Sequence, residues 1–211
     1  MADILILGAG SMGTAFSFPC SDNGHSVSIV GTHLENDFID KINSTKKHPT
    51  LDCEVQKNVK FLKFEQLKKE INKKNDLIVI AVVSKGIEWA SNEISKVLKN
   101  NAPILILTKG LAVNNNNYEV LAHKMERLLK QGGVKETNIS AAGGPCLAKN
   151  LANKAHTAVV FANKDIKVVD KISKLVSTDY YHVSTSDDVV GVEICAAIKN
   201  IFSMAVGASQ G

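Results

Sequence analysis

The sequence predicts an α/β domain with a doubly wound, mainly parallel sheet, followed by the first helix of an all-α domain. Short apolar runs recur along the chain and alternate with segments of helical periodicity. That order implies right-handed crossovers between parallel strands. The run at 77–82 is apolar at every position, as expected for a strand covered on both faces. A chain of 211 residues can build one well-buried core and the start of a second.

Each predicted element follows from its own segment. The strand-like runs lie at 4–7, 27–30, 59–61, 77–82, 104–107, 139–142, 157–161 and 180–183. Four apolar stripes with helical spacing lie between them: Leu34, Phe38, Ile39 and Ile42; Ile87, Ala90, Ile94 and Leu98; Leu121, Met125, Leu128 and Leu129; and Val168, Val169, Ile172, Leu175 and Val176. The four asparagines at 114–117 are typical of a loop between a strand and a helix.

The character of the chain changes near residue 184. Residues 184–188 offer an N-cap and an acidic first turn. The next segment, 189–207, is apolar except for Glu193, Lys199, Asn200 and Ser203. It therefore predicts a helix that other helices would bury on nearly all sides, and nothing before residue 184 is expected to surround it. We expect residues 1–185 to form one domain and residues 186–211 to begin an incomplete helical one. Alone, this helix should self-associate or fray.

The bulk composition is that of an ordinary soluble enzyme, with 45% hydrophobic residues, 22% charged residues and a net charge of +4. The lysines between 57 and 74 predict a solvated face rather than a nucleic-acid site. We expect no membrane-spanning helix, because no uninterrupted apolar run approaches the roughly 20 residues that span a membrane. The start shows no basic signal region. Four scattered cysteines favour neither a zinc site nor a disulfide scaffold, which fits the cytoplasm.

Gly8, Gly10 and Gly13 form a G-x-G-x-x-G pattern directly after the first strand and before a predicted helix. In a Rossmann-like fold this setting indicates dinucleotide binding. Gly8 permits the turn, Gly10 leaves room for the pyrophosphate, and Gly13 lets the helix pack on the strand. The alternative interpretation is a simple glycine-rich turn.

The residues after the second strand bear on the choice of cofactor. An NAD site usually has an acid there, but this chain reads Gly31-Thr32-His33, and the first acid is Glu35. We therefore expect no carboxylate that would repel a 2′-phosphate, and Thr32 or His33 could donate hydrogen bonds to it. Both NAD and NADP are allowed, with a slight preference for NADP.

Two lysines are candidates for chemistry. Lys199 shares a helix face with apolar and small residues, where a lysine is either held in a site or snorkels to an edge. Lys109 follows a predicted strand, where it could meet a ligand oxygen or could be a surface lysine in a turn. Gly144 and Cys146 follow another strand in the same way, and the glycine could bring the backbone close to a ligand or simply make a turn.

Five segments together resemble the soluble NAD(P)-dependent glycerol-3-phosphate dehydrogenases. Residues 8–15 match the family's G-x-G-x-x-G-T-A opening, and 23–25 match its N-G-H. Residues 109–110 match its K-G, and 144–148 match its G-P-[ST]-x-A loop in part. The most specific match is G-x-E-x-x-x-A-x-K-N at 191–200. The resemblance implies interconversion of dihydroxyacetone phosphate and sn-glycerol 3-phosphate in the cytoplasm, for phospholipid synthesis, by an enzyme that could be a homodimer.

The resemblance also implies roles for individual residues. Lys199 would be the proton donor and acceptor, with Asn200 beside it at the substrate, and Lys109 would contact substrate and cofactor. The G-P loop would touch substrate and nicotinamide, and the start of the first helix would lie against the pyrophosphate. The residues implied in these two contacts are Gly144, Cys146, Ala148, Ser11 and Met12.

This sequence departs from the family pattern at two places. Cys146 replaces the usual serine or threonine, which removes a hydroxyl contact to the substrate. The family's later aspartate, in a G-x-x-D motif, and the arginine–asparagine pair that holds the substrate phosphate have no counterpart in these 211 residues. The chain alone is therefore expected to be inactive. Two alternatives remain open: a non-catalytic or truncated dinucleotide-binding module, and another two-domain hydroxyacid-type dehydrogenase.

Overall fold

The computed structural model describes residues 1–99 and 101–210, which form twelve strands and eight α-helices. The strands are β1 Asp3–Leu7, β2 Ser26–Val30, β3 Lys47–His48, β4 Cys53–Glu54, β5 Val59–Leu62, β6 Leu77–Ile80, β7 Ile104–Ile106, β8 Leu111–Asn114, β9 Asn117–Val120, β10 Ile139–Gly143, β11 Thr157–Ala162 and β12 Tyr181–Ser186. The helices are α1 Ser11–Asp22, α2 Asn36–Thr45, α3 Leu67–Ile71, α4 Ile87–Ser95, α5 Leu121–Gln131, α6 Ala148–Ala152, α7 Ile166–Val176 and α8 Val189–Gln210.

The main sheet has eight strands in the order β12-β11-β10-β7-β6-β1-β2-β5. All eight strand-like runs of the sequence are strands of this sheet. Six neighbouring strands of this sheet, β5, β2, β1, β6, β7 and β10, are parallel to one another. Strand β11 pairs antiparallel with β10, and β12 pairs parallel with β11. The order reverses at β1, which lies between β2 and β6, and this is the switch point at which doubly wound folds bind ligands. The predicted fold class is confirmed.

Helices cover both faces of the sheet, so alternate residues of β1 enter different cores. Ile4 and Ile6 pack into a core with α1 and α7. Leu5 and Leu7 pack into a second core with α4 and α5. All four side chains are almost fully buried. Burial on both faces explains why the central strands are apolar at every position.

Two small hairpins lie outside the main sheet. β3 pairs with β4, and β8 pairs with β9. The sequence predicted a loop at residues 114–117, but this segment is the end of β8, a two-residue turn and the start of β9. Asn115 and Asn116 both have positive φ, which asparagine tolerates and a tight hairpin turn requires.

Helix α8 is buried in part along its first half only. Val189, Glu193 and Ala196 are buried, but Ile201, Phe202 and the apolar residues after them are exposed, with Phe202 63% accessible. We expected helices outside residues 1–185 to cover this helix, and that expectation stays a prediction. By length and composition the 22-residue helix could cross a membrane, against the sequence expectation, with a mean hydropathy of 1.7. The core helix of a soluble protein meets the same criteria.

Candidate active site at the carboxyl edge of the sheet

The candidate site residues lie at the carboxyl edge of the parallel strands, where the loops after β1, β2, β6, β7 and β10 meet. Gly8 follows β1 and its N–H donates to the carbonyl of Val30 at the end of β2, at 2.8 Å. Thr108 follows β7 and its hydroxyl donates to the carbonyl of Val82 after β6, at 2.6 Å. These bonds tie neighbouring loops together and give the edge a fixed shape.

The three glycines of the turn meet three different demands. Gly8 has φ +109°, and a Cβ there would lie 2.7 Å from the carbonyl oxygen of Ala81. A Cβ at Gly13 would overlap the carbonyl oxygen of Gly8, so a glycine is needed for α1 to pack on β1. Apart from its chain neighbours, a Cβ at Gly10 would have Glu35 Oε1, at 3.9 Å, as the one described atom within 4 Å. The space beside Gly10 is therefore open, as close approach of a phosphate group requires.

The N-terminus of α1 faces this open space. Gly10 is the N-cap residue, and no side chain among the described residues forms a cap hydrogen bond to this helix. The first backbone N–H groups of a helix lack partners within the helix and carry a partial positive charge. Ser11 and Met12, half-buried in this first turn, thus belong to a 12-residue helix whose start suits an anionic group.

Glu35 places a carboxylate at the glycine turn, which was not predicted from the sequence. Its Oε2 accepts hydrogen bonds from the N–H of Ala9, at 3.2 Å, and from the N–H of Thr32, at 2.6 Å. The expectation of no carboxylate near this end of β2 is therefore wrong. The acid lies three residues beyond Thr32, at the N-cap of α2, and its side chain folds back.

His48, from the β3–β4 hairpin, supports the same turn from the interior. Its Nδ1 accepts from the N–H of Leu51, at 3.1 Å, so Nε2 carries the proton and donates to the carbonyl of Ala9, at 3.2 Å. Burial lowers the pKa of His48, although its backbone hydrogen bonds and Glu35 oppose this. Ala9, between the first two glycines, is therefore held at its N–H by Glu35 and at its carbonyl by His48.

His33, a predicted cofactor residue, packs against aromatic rings. Its ring centroid lies 4.9 Å from that of Trp89 and 6.2 Å from that of Phe64. The three rings come from the loop after β2, the segment after β5 and helix α4. They form an aromatic cluster, and His33 joins it directly after Thr32 in the chain.

A second group forms after β7 and β10. Lys109 Nζ donates to the carbonyl of Gly144 at 2.7 Å. Burial lowers the pKa of Lys109, Cys146 opposes the lowering, and the ammonium of Lys199 adds to it. Burial raises the pKa of the Cys146 thiol, and Lys109 opposes this. The structure thus brings together Lys109, Gly144, Cys146 and Lys199, and Ala148 begins the next helix, α6, which packs against α1.

Helix α8 carries Lys199 and Asn200 to this group. Lys199 is half-buried and its Nζ donates to Asn200 Oδ1 at 3.0 Å. A Cβ on Gly143 would lie 2.7 Å from Val192 Cγ1, so the glycine allows α8 to approach β10 closely.

Glu193 anchors α8, a role that was not predicted from the sequence. Its buried carboxylate accepts from the N–H of Ala122 at 3.0 Å and from that of Leu121, the first residues of α5. The side chain of Val120, the N-cap residue of α5, forms no such hydrogen bond. Burial raises the pKa of Glu193 to about 7, and the two backbone N–H groups oppose the rise. Its place in the G-x-E segment was the one available signal.

The family of the chain follows from a comparison with known proteins. The sequence model of the protein family described as the NAD-dependent glycerol-3-phosphate dehydrogenase N-terminus matches residues 3–169. The chain belongs to this family. The NADP(+)-dependent glycerol-3-phosphate dehydrogenase of Archaeoglobus fulgidus is 30% identical over 208 residues, which are 99% of this chain and 60% of that protein. The chain thus spans about 60% of the length of the curated relatives it matches.

Solved structures of glycerol-3-phosphate dehydrogenases have the same fold. The Coxiella burnetii protein superimposes with a TM-score of 0.80 at 24% identity, covering 99% of this chain and 61% of that one. The Plasmodium falciparum protein superimposes with a TM-score of 0.84 at 22% identity, covering 98% of this chain and 58% of that one. The shared fold extends to nearly all of the 211 residues.

Proposed function

We propose that this chain supplies the NAD(P)-binding domain and the acid–base lysine of an enzyme that interconverts dihydroxyacetone phosphate and sn-glycerol 3-phosphate. The observation that carries the proposal is the meeting of Lys109, Gly144 and Lys199 at the edge that also holds the open glycine turn. Family membership and the names of the relatives support the same reaction.

The residues present fit a dinucleotide. A Cβ would fill the space beside Gly10, and the uncapped start of α1 offers donors for a pyrophosphate at Ser11 and Met12. When bound, the nicotinamide supplies or accepts a hydride. Thr32, His33 and Ala148 are proposed to line the rest of the cofactor site.

In the proposed reaction the two lysines act on the substrate oxygen that gains or loses a proton. The Lys199 ammonium donates a proton to the forming alkoxide and takes it back in the reverse direction. Lys109, fixed by the Gly144 carbonyl, adds positive charge beside the same oxygen or the substrate phosphate. Asn200 holds the Lys199 ammonium, and Cys146 lies against the substrate.

The wider setting of this reaction is part of the proposal. Glycerol 3-phosphate is a precursor of phospholipid head groups, and the four free cysteines fit a reducing cytoplasm. We assign residues 1–185 to the cofactor domain and 186–211 to the start of a helical substrate or dimerisation domain, of which Gly211 lies outside the described residues. The exposed apolar residues of α8 support a homodimer or coverage by further helices.

The test is turnover of dihydroxyacetone phosphate by the natural full-length protein, followed by the loss of NADH or NADPH absorbance. Lys199→Ala should lower kcat about a hundredfold or more, the scale of a lost general acid. Lys199→Arg should not rescue it, because a guanidinium stays protonated and cannot cycle. Lys171→Ala, which removes an exposed lysine on α7, is the matched control and should be active.

Two outcomes would contradict the proposal. Near-normal turnover by the Lys199→Arg variant would remove Lys199 from proton transfer. Tight cofactor binding without any turnover by the wild-type protein would favour a non-catalytic dinucleotide-binding module.

A further inference from the structure

The carboxylate of Glu35 lies where a dinucleotide's adenosine half would bind. We propose that Glu35 is a specificity-determining residue that makes this protein prefer NADH to NADPH. The inference rests on the proposed function, because it requires a dinucleotide at the glycine turn. It reverses the preference that the sequence alone suggested.

Two loops fix the position of the carboxylate. Oε2 accepts from the N–H of Ala9 in the glycine turn and from the N–H of Thr32 after β2. The carboxylate therefore spans the crevice between the ends of β1 and β2. In doubly wound folds the adenosine ribose lies in this crevice, and an acid there accepts a hydrogen bond from the ribose 2′-hydroxyl.

The other carboxylate oxygen faces the open space. Among residues 1–99 and 101–210, no hydrogen-bond donor is assigned to Oε1, which lies 3.9 Å from the position of a Cβ on Gly10. A ribose hydroxyl in this space can donate to Oε1. A 2′-phosphate in the same space carries no such donor when ionised and brings negative charge against the carboxylate.

In the described part of the chain, no side-chain cation forms an ion pair with Glu35 that would neutralise its carboxylate. None of the ion pairs found there includes Glu35. His48 contacts the opposite side of Ala9, but its Nδ1 accepts a hydrogen bond and the ring is neutral. His33, the residue expected to bind a 2′-phosphate, packs its ring on Trp89 and Phe64.

A purely structural role for Glu35 makes a different prediction. If the carboxylate only fixed the glycine turn, its replacement would weaken the binding of both cofactors by similar factors. A role in specificity changes the ratio of the two affinities. Glu35→Gln separates these cases, because the amide oxygen can still accept from a backbone N–H while the negative charge is lost.

The test is separate titration of NADH and NADPH, followed by the fluorescence of Trp89, the only tryptophan of the chain. We expect the wild-type protein to bind NADH about tenfold more tightly or more, because like charges in contact are strongly unfavourable. Glu35→Gln should tighten NADPH binding until the two affinities agree within about threefold. Asp37→Asn, which removes an exposed acid in the first turn of α2, is the control for net charge and should keep the wild-type ratio.

Equal affinities in the wild-type protein, or an unchanged ratio in Glu35→Gln, would overturn the inference. If the wild-type protein binds neither cofactor, both the inference and the proposed cofactor domain fail. If it prefers NADH and Glu35→Gln removes the preference, but dihydroxyacetone phosphate is not turned over, the inference is supported while the proposed activity fails.

Discussion

The buried carboxylate of Glu193 should make the stability of the fold depend on pH in an unusual direction. Its pKa is raised from 4.5 to about 7 in the folded protein. Between these values the folded state binds more protons than the unfolded state, so the free energy of unfolding falls as pH rises. A pKa difference of about 2.5 limits the total change in the free energy of unfolding to about 3 kcal/mol. Roughly 2 kcal/mol of this change occurs between pH 5 and pH 8.

Glu193→Gln removes this titration and keeps an acceptor for the start of α5. The free energy of unfolding of the variant minus that of the wild-type protein should therefore rise by roughly 2 kcal/mol as the pH is raised from 5 to 8. The assay is urea unfolding of both proteins at each pH, compared as a difference. The comparison cancels His48, whose lowered pKa gives stability the opposite pH dependence.

An exposed glutamate on β4 provides the control, and Glu54→Gln should show a difference from the wild type that is constant with pH. If the Glu193→Gln and wild-type curves also run parallel from pH 5 to pH 8, the reasoning from burial is refuted.

Two further predictions follow from packing. Gly13→Ala should lower the free energy of unfolding by about 1–3 kcal/mol, because the added Cβ overlaps the Gly8 carbonyl and α1 must shift; urea unfolding measures the loss, and wild-type stability would refute the contact. The exposed apolar end of α8 should make the 211-residue chain associate at micromolar concentrations, and Phe202→Glu should shift sedimentation toward the monomer; a wild-type chain that sediments as a monomer would contradict this.

The central strands of the main sheet could be predicted because their burial on both faces leaves continuous apolar runs. Every residue of β6, Leu77–Ile80, is buried. The small hairpins could not be predicted in this way, since β3 and β4 have two residues each and little apolar pattern. Helices α3 and α6, with five residues each, are too short for a helical period to show.

The candidate site could also be predicted only in part. The closeness of Lys109 and Gly144 could be predicted, because the carboxyl ends of parallel strands meet at one edge of the sheet. The place of Glu35 could not, because the usual spacing puts an acid directly after the strand. Here the acid begins the next helix, and only its side chain returns to the turn. Glu193 lies within an apolar helix, and its partner Ala122 on α5 is 71 residues away in the chain.

The central claim is that the glycine turn and the start of α1 hold a nicotinamide dinucleotide. The most direct measurement is the titration of NADH and NADPH against the wild-type protein and Gly10→Val. The side chain added at Gly10 meets no described atom other than Glu35 Oε1 within 4 Å of its Cβ, so the variant should fold with an unchanged circular dichroism spectrum. We predict saturable binding by the wild-type protein and none by the variant, whereas equal binding by the two proteins would contradict the account.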